Sequence, residues 1–121
     1  GTGGSGETKR IPSKIFIEVM KKTLKKGKCK FFIATGNAKE EIEILDQITK
    51  SDLKEFCIPL NNLNINKIIP IIKNCDVSIC NDSSFSHLSA ALNIPTIVLM
   101  ADTPLVYGSY SSLMHPILPE V

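Results

Sequence analysis

Residues 75–104 read C-D-V-S-I-C-N-D-S-S-F-S-H-L-S-A-A-L-N-I-P-T-I-V-L-M-A-D-T-P, and the changes of character along this stretch decide the fold class. Val77, Ser78, Ile79 and Cys80 suit a short buried strand. The polar residues Asn81, Asp82, Ser83 and Ser84 follow at its carboxyl end, where open α/β sheets place their ligands. Either Asp82 or Ser83 can cap the helix predicted over Ser84 to Leu92. Leu88, Ala91 and Leu92 share one face of that helix, and Ser89 and Ala90 are small enough to let it lie close to a sheet. Asn93 and Pro95 end it. Thr96, Ile97, Val98 and Leu99 then make an uninterrupted apolar run, as expected of a strand covered on both faces, before Ala101, Asp102, Thr103 and Pro104 break it. The whole is a βαβ unit with a polar crest.

The same alternation extends upstream. Pro12 or Ser13 opens a helix to about Lys26, with Ile15, Phe16, Val19, Met20 and Leu24 as its apolar stripe. Lys30 to Thr35 is a strand, Gly36-Asn37 a turn, and Ala38 to Lys50 an amphipathic helix whose acidic residues sit early, where the helix dipole favours them. Phe56 to Leu60 gives another short strand, and Ile65 to Asn74 another helix, bent at Pro70. Beyond Pro104 the pattern weakens to a loop, and Leu113 to Val121, holding Pro116 and Pro119, reads as a tail. The order α-β-α-β-α-β-α-β predicts an α/β fold with a three-layer, Rossmann-like parallel sheet. A strand ahead of the first helix is expected in such a fold and is not found, which points to an excised or truncated domain.

At 121 residues the chain is one domain, with no apolar run long enough to span a membrane and no cleavable signal pattern, so a soluble cytoplasmic protein is expected. The net charge of +2 conceals an asymmetry: residues 1–30 hold nine Lys or Arg against Glu7 and Glu18, a balance that suits an anionic ligand or membrane surface. Lys21, Lys22, Lys25 and Lys26 are equally well read as the solvated face of the first helix. Cys29, Cys57, Cys75 and Cys80 show neither C-x-x-C nor zinc spacing and are expected to be reduced core thiols. Asn81-Asp82-Ser83 matches a glycosylation sequon, a chance match without a secretory signal. The basic amino end lacks the aromatic platforms that single-stranded nucleic acids use, so no nucleic-acid partner is expected.

The amino terminus, Gly1 to Gly6, followed by Glu7, Thr8, Lys9, Arg10, Ile11 and Pro12, admits two readings. One is a flexible linker. The other is a loop whose bare amides approach a phosphate, with Lys9 supplying charge and the next helix its positive dipole end. Neither G-x-x-x-x-G-K-[ST] nor G-x-G-x-x-G is present at the right offset.

Asn81, Asp82, Ser83, His87, Leu88, Ala90, Ala91, Leu92 and Pro95 together resemble the carboxyl-terminal domain of glycosyltransferase family 9, the lipopolysaccharide heptosyltransferases. That family carries N-D-S-G-x-x-H-L-A-A-A-L-G-x-P before a strand and an F-G-x-T-x-P turn, and Met100 to Pro104 stand in the place of the turn. Lys9, Arg10, Ile11 and Pro12 resemble the family's K-R-W-P, and Gly36 to Glu40 its G-x-x-x-E; the two ends of the chain match independently, which favours the phosphate loop over the linker. The resemblance implies one half of a GT-B architecture. This domain would hold a nucleotide diphospho-sugar, an ADP-heptose-like donor, while an absent amino-terminal domain would supply the catalytic base and a lipid-linked glycan acceptor. It further implies that Ser5, Lys9, Ser83, Ser84 and His87 contact the donor phosphates, that Asp82 holds sugar hydroxyls, and that Leu63 lies near the nucleobase. Neither metal nor cofactor is implied, and the full enzyme would work in the cytoplasm, in peripheral contact with the inner face of the membrane. Ser84 in place of the motif glycine, Ile11 in place of tryptophan and Met100-Ala101 in place of phenylalanine-glycine depart from the pattern. Those departures suit a non-catalytic interaction module with a degenerate nucleotide cleft, the alternative reading. Asp82 is also read as a plain helix cap, His87 as a satisfied interior imidazole and Lys9 as a solvated surface lysine. A hydrolytic triad from Ser83 or Ser84, His87 and Asp82 is excluded, because residues on one turn cannot line up nucleophile, base and orienter.

Overall fold

The computed structural model describes residues 1–3, 11–81, 83–100 and 110–118. Its elements run α1 (Ser13–Lys26), β1 (Phe31–Ile33), α2 (Lys39–Thr49), a 3-10 turn (Lys54–Phe56), β2 (Cys57–Pro59), α3 (Ile65–Lys73), β3 (Ser78–Asn81), α4 (Ser84–Ala91), β4 (Thr96–Leu99) and β5 (Met114–Ile117). The helices start where local chemistry allows. Pro12 precedes α1 with its fixed φ, Asn64 caps α3 by accepting from the Lys67 amide at 3.2 Å, and α3 continues through Pro70.

All strand pairs are parallel. β1 lies beside β2, while β3, β4 and β5 form a second group in which Ser78 faces Thr96 and Thr96 faces Met114. Gly1 and Thr2 join the two groups. The Gly1 ammonium donates to the Ile79 carbonyl at 2.9 Å, and the Gly1 carbonyl accepts from the Asn81 amide at 3.0 Å. The Thr2 amide turns the other way and donates to the Ala34 carbonyl at 3.0 Å. Successive residues bonding to opposite neighbours is the habit of a central parallel strand, so the order across the molecule is β2, β1, residues 1–2, β3, β4, β5.

Neighbouring residues of β1 and its extension feed different cores. Ile33 packs with Phe16 and Met20 of α1 and Leu45 and Ile48 of α2, whereas Ala34 packs with Leu60, Ile68, Ile72 and Ile94. Adjacent strand residues point to opposite faces, so α1 and α2 cover one side of the sheet and α3 the other. This is the expected three-layer α/β arrangement.

Three sequence expectations are corrected. Residues 114–117 are a strand and not part of a tail: the Leu113 and Ile117 carbonyls accept from the Thr96 and Met100 amides at 2.7 and 2.9 Å, and this parity turns the Pro116 nitrogen away from β4. An outer strand tolerates proline there because no ladder bond is lost. Ala91, expected on the apolar face of α4 with Leu88 and Leu92, is exposed; the two leucines pack on the Leu60–Ile72 core, and Ser89 and Ala90 lie buried as expected, with Ser86 beside them. Val19 of the predicted α1 stripe is 36% exposed. It borders a cavity of about 360 Å³ between β1 and β3 on the side of Gly1 away from Thr2, also lined by Phe32 and Val77, which are 40% and 49% exposed.

Candidate functional site

The carboxyl ends of β1 and β3 and the residues between them form a polar crest. Thr35 follows β1, Thr2 lies in the middle, and Asn81 ends β3; all three are buried. The Asn81 carboxamide donates to the carbonyls of Thr2 at 2.9 Å and Gly3 at 3.3 Å, so the start of the amino-terminal loop is fixed to β3 by side chain as well as backbone. That burial also removes Asn81 from reach of any glycosylating enzyme. The sequon is a chance match for a structural reason.

Ser83 occupies the N-cap position of α4 with extended backbone angles. Its carbonyl accepts from the Ser86 amide at 3.1 Å and the Ser86 hydroxyl at 2.7 Å, but its own hydroxyl makes no capping bond. Four buried oxygens on this crest have no partner among the described residues: Thr2 Oγ1, Thr35 Oγ1, Asn81 Oδ1 and Ser83 Oγ. Buried hydroxyls are normally satisfied, and leaving one bare costs about 1–3 kcal/mol. The three hydroxyls among them, gathered at one end of the sheet next to a helix amino terminus, can donate to a polar, anionic ligand, whereas Asn81 Oδ1 can only accept.

Glu41 on the first turn of α2 supports the crest from beside it. One carboxylate oxygen accepts from the Ala38 amide at 3.3 Å, and a Cβ on either Gly3 or Gly36 would collide with the carboxylate. A side chain at either position would therefore have to displace the Glu41 carboxylate, the end of a flexible side chain. Sequence reading pointed to Glu40 in the G-x-x-x-E pattern; Glu40 is exposed, and Glu41 is the acid that packs on the loop. The capping-box position of Glu41, third in its helix, was the available signal.

The sequence-derived site residues differ in where the structure places them. Ser83 lies on the crest, and Ser84, the first residue of α4, is exposed, so its Cβ crowds no protein atom that would exclude a ligand. His87, one turn into α4, is half-buried and bonded through Nδ1 to the Tyr110 hydroxyl at 2.6 Å. Leu63 is partly buried in the loop after β2 and packs on the core of Leu60, Ile68 and Ile72, so part of its surface is committed to the fold. Ser5, Lys9 and Asp82 lie outside the described residues. Thr2, Thr35 and Tyr110 are the members of this region that sequence reading missed.

Competing chemistries find little support. Among the described residues no group of three or more His, Cys, Asp or Glu side chains could hold a metal ion, and the four cysteines are free thiols. Burial pushes the thiols of Cys57 and Cys75 above the ordinary value, Asp76 adding to the effect at Cys75, so neither is a poised nucleophile. No helix of the described residues is long and apolar enough to cross a membrane.

The family model for glycosyltransferase family 9 (heptosyltransferase) matches residues 2–114. The chain is 32% identical over 102 residues to lipooligosaccharide heptosyltransferase 2 of Haemophilus influenzae, covering 81% of this chain and 29% of that protein. It is 28% identical over 123 residues to lipopolysaccharide heptosyltransferase 1 of Campylobacter coli, covering 95% and 34% respectively. The fold is similar to that of the Escherichia coli heptosyltransferase WaaC with ADP, at TM-score 0.80 and 17% identity over 98% of this chain and 36% of that one. It is also similar to the E. coli ADP-heptose heptosyltransferase II, at TM-score 0.73 and 20% identity over 98% and 37%. The chain thus spans about a third of the length of each.

Proposed function

From the premise that this chain belongs to glycosyltransferase family 9, the heptosyltransferases, we propose that it is the donor-binding half of a GT-B sugar transferase and holds a nucleotide diphospho-sugar of the ADP-heptose type. The observation that carries the reading is the set of buried hydroxyls on Thr2, Thr35 and Ser83, without a partner among the described residues, beside the amino end of α4. A donor diphosphate seated there would gain the amides of Ser84 and Phe85 at the start of α4, the Ser83 hydroxyl and His87. Lys9 and Ser5, which follow Gly3 in sequence, would contact it. Asp82 would hold sugar hydroxyls, and the exposed part of Leu63 would meet the nucleobase. One solved structure of similar fold is described as containing ADP, which supports an adenine nucleotide over other bases.

The chemistry follows from charge. In the transfer, the bond from the anomeric carbon to the diphosphate oxygen breaks, and a bond to an acceptor hydroxyl forms. The leaving diphosphate gains negative charge, so Lys9 and amides aimed at it stabilise the transition state more than the ground state. The acceptor hydroxyl gives its proton to a base in the other half of the enzyme, where a lipopolysaccharide-type glycan would be bound. The departures at Ile11 and Ser84 bear on which donor is taken; the exposed Ser84 side chain is free to donate a hydrogen bond of its own.

The test is calorimetric titration of ADP, UDP and GDP into the chain and into Lys9→Ala. Selective ADP binding, weakened in the variant, is expected. Indifference to all three nucleotides, in this chain and in any longer chain containing it, would overturn the reading in favour of a non-catalytic interaction module.

A further inference from the structure

We propose that Tyr110 is a positioning residue for His87, fixing which imidazole nitrogen faces the donor diphosphate; this rests on the donor-binding reading above. The Tyr110 hydroxyl lies 2.6 Å from His87 Nδ1, with the two ring planes 10° apart and their centroids 5.5 Å apart. Tyr110 is 58% exposed, so apolar burial does not hold its ring in place. The bond to the imidazole does.

β5 is what delivers it. The Met114 amide donates to the Ser111 carbonyl at 3.0 Å and the Leu113 amide to the Ser111 hydroxyl at 3.2 Å, so the turn that follows Tyr110 is tied to the start of β5. The Leu113 carbonyl in turn accepts from Thr96 of β4 at 2.7 Å. The phenol is thereby carried to a helix 23 positions away in sequence. A surface tyrosine on a tightly pinned turn, spending its hydroxyl on one imidazole nitrogen, is an arrangement that acts on the histidine and contributes little to the core.

The consequence is chemical. A phenolic O–H donates readily, and the unprotonated nitrogen of a neutral imidazole accepts. With the hydroxyl on Nδ1, the neutral ring keeps its proton on Nε2. When the ring is protonated, Nδ1–H donates to the phenolic oxygen and Nε2–H remains. In both charge states the nitrogen left over is a donor, and a diphosphate offers acceptors only. Without the hydroxyl, the tautomer protonated on Nδ1 becomes accessible, and it presents a lone pair to the anion.

Tyr110→Phe keeps the ring and removes the hydroxyl. Imidazole ¹⁵N shifts at about pH 8 should place the neutral His87 proton on Nε2 in the parent chain and spread it over both nitrogens in the variant. ADP affinity should fall about three- to tenfold, the worth of one aligned hydrogen bond. In a His87→Gln background, where the side chain has no tautomers, adding Tyr110→Phe should cost nothing further. Unchanged shifts and affinity in Tyr110→Phe, or an equal loss in the His87→Gln background, would overturn the proposal while leaving the donor reading intact. Indifference to ADP, UDP and GDP, in the parent chain and in any longer chain containing it, would overturn both.

Discussion

Asn81 and Thr2 are 79 positions apart in sequence and 2.9 Å apart in space, with the Asn81 carboxamide nitrogen on the Thr2 carbonyl. The same nitrogen reaches the Gly3 carbonyl, and Asn81 is completely buried. One side chain therefore connects the strand that leads into α4 to Thr2 and Gly3 at the amino end. Asparagine suits the position because two carbonyls need a donor.

Asn81→Asp tests that logic at constant volume. A carboxylate has no N–H to give, so two carbonyls lose their donor and a charge is buried against them. The cost expected is about 2–4 kcal/mol of unfolding free energy, read from urea denaturation at neutral pH. Because an aspartic acid regains a donor when protonated, the deficit should shrink on acidification, whereas in Asn81→Ala it should not. A loss below about 0.5 kcal/mol in both variants would show that the loop is held by other contacts.

A second prediction concerns how closely α4 lies on the sheet. Ser89 is buried and its hydroxyl donates to that of Ser78 on β3 at 2.9 Å. Ser89→Ala gives up one hydrogen bond but keeps the fit, and should cost about 1 kcal/mol. Ser89→Leu must push the helix away from β3 and should cost about 1–3 kcal/mol more through overpacking. It should also weaken ADP, because the amino end of α4 moves with the helix. Thermal unfolding and calorimetry together distinguish this from a local effect: equal melting temperatures for the two variants would mean that the interface has room to spare.

How legible this protein was from its sequence depended on whether the deciding interaction was local. β4 was read with its observed ends, and α1, α2, α3 and α4 within one residue at each end, because apolar period and terminal residues are encoded along a single segment. The polar crest was legible through Asn81-Asp82-Ser83-Ser84 and the family resemblance. β5 was not, because Pro116 argues against a strand unless one knows that it is the outermost and that its nitrogen points outward. The close approach of α4 to the sheet was legible in small Ser89 and Ala90, and Leu88 and Leu92 do share a packed face; only Ala91, placed on that face, proves exposed. Thr2, Thr35 and Tyr110 matter through neighbours brought by tertiary folding, which no period announces.

The last prediction starts from Phe32 and Ile79. Thr2 bonds to Ala34, and Gly1 to Ile79, so by strand parity the amides of Phe32 and Ile79 face the apolar cavity between β1 and β3. Both should exchange with deuterium quickly in the 121-residue chain, while the amides of Ile33 and Cys80, which face β2 and β4, exchange slowly. Linking about five apolar, β-branched residues ahead of Gly1 gives the cavity a strand parallel to both neighbours and covers Val19, Phe32 and Val77. Protection of Phe32 and Ile79 should then rise at least about tenfold, and the melting temperature with it, in keeping with apolar burial on both faces. A proline at the second position before Gly1, whose nitrogen would otherwise donate to Val77, should reverse much of the gain. If the apolar extension protects neither amide, or the proline makes no difference, the cavity does not accept a strand, and the exposure of Phe32 needs another explanation.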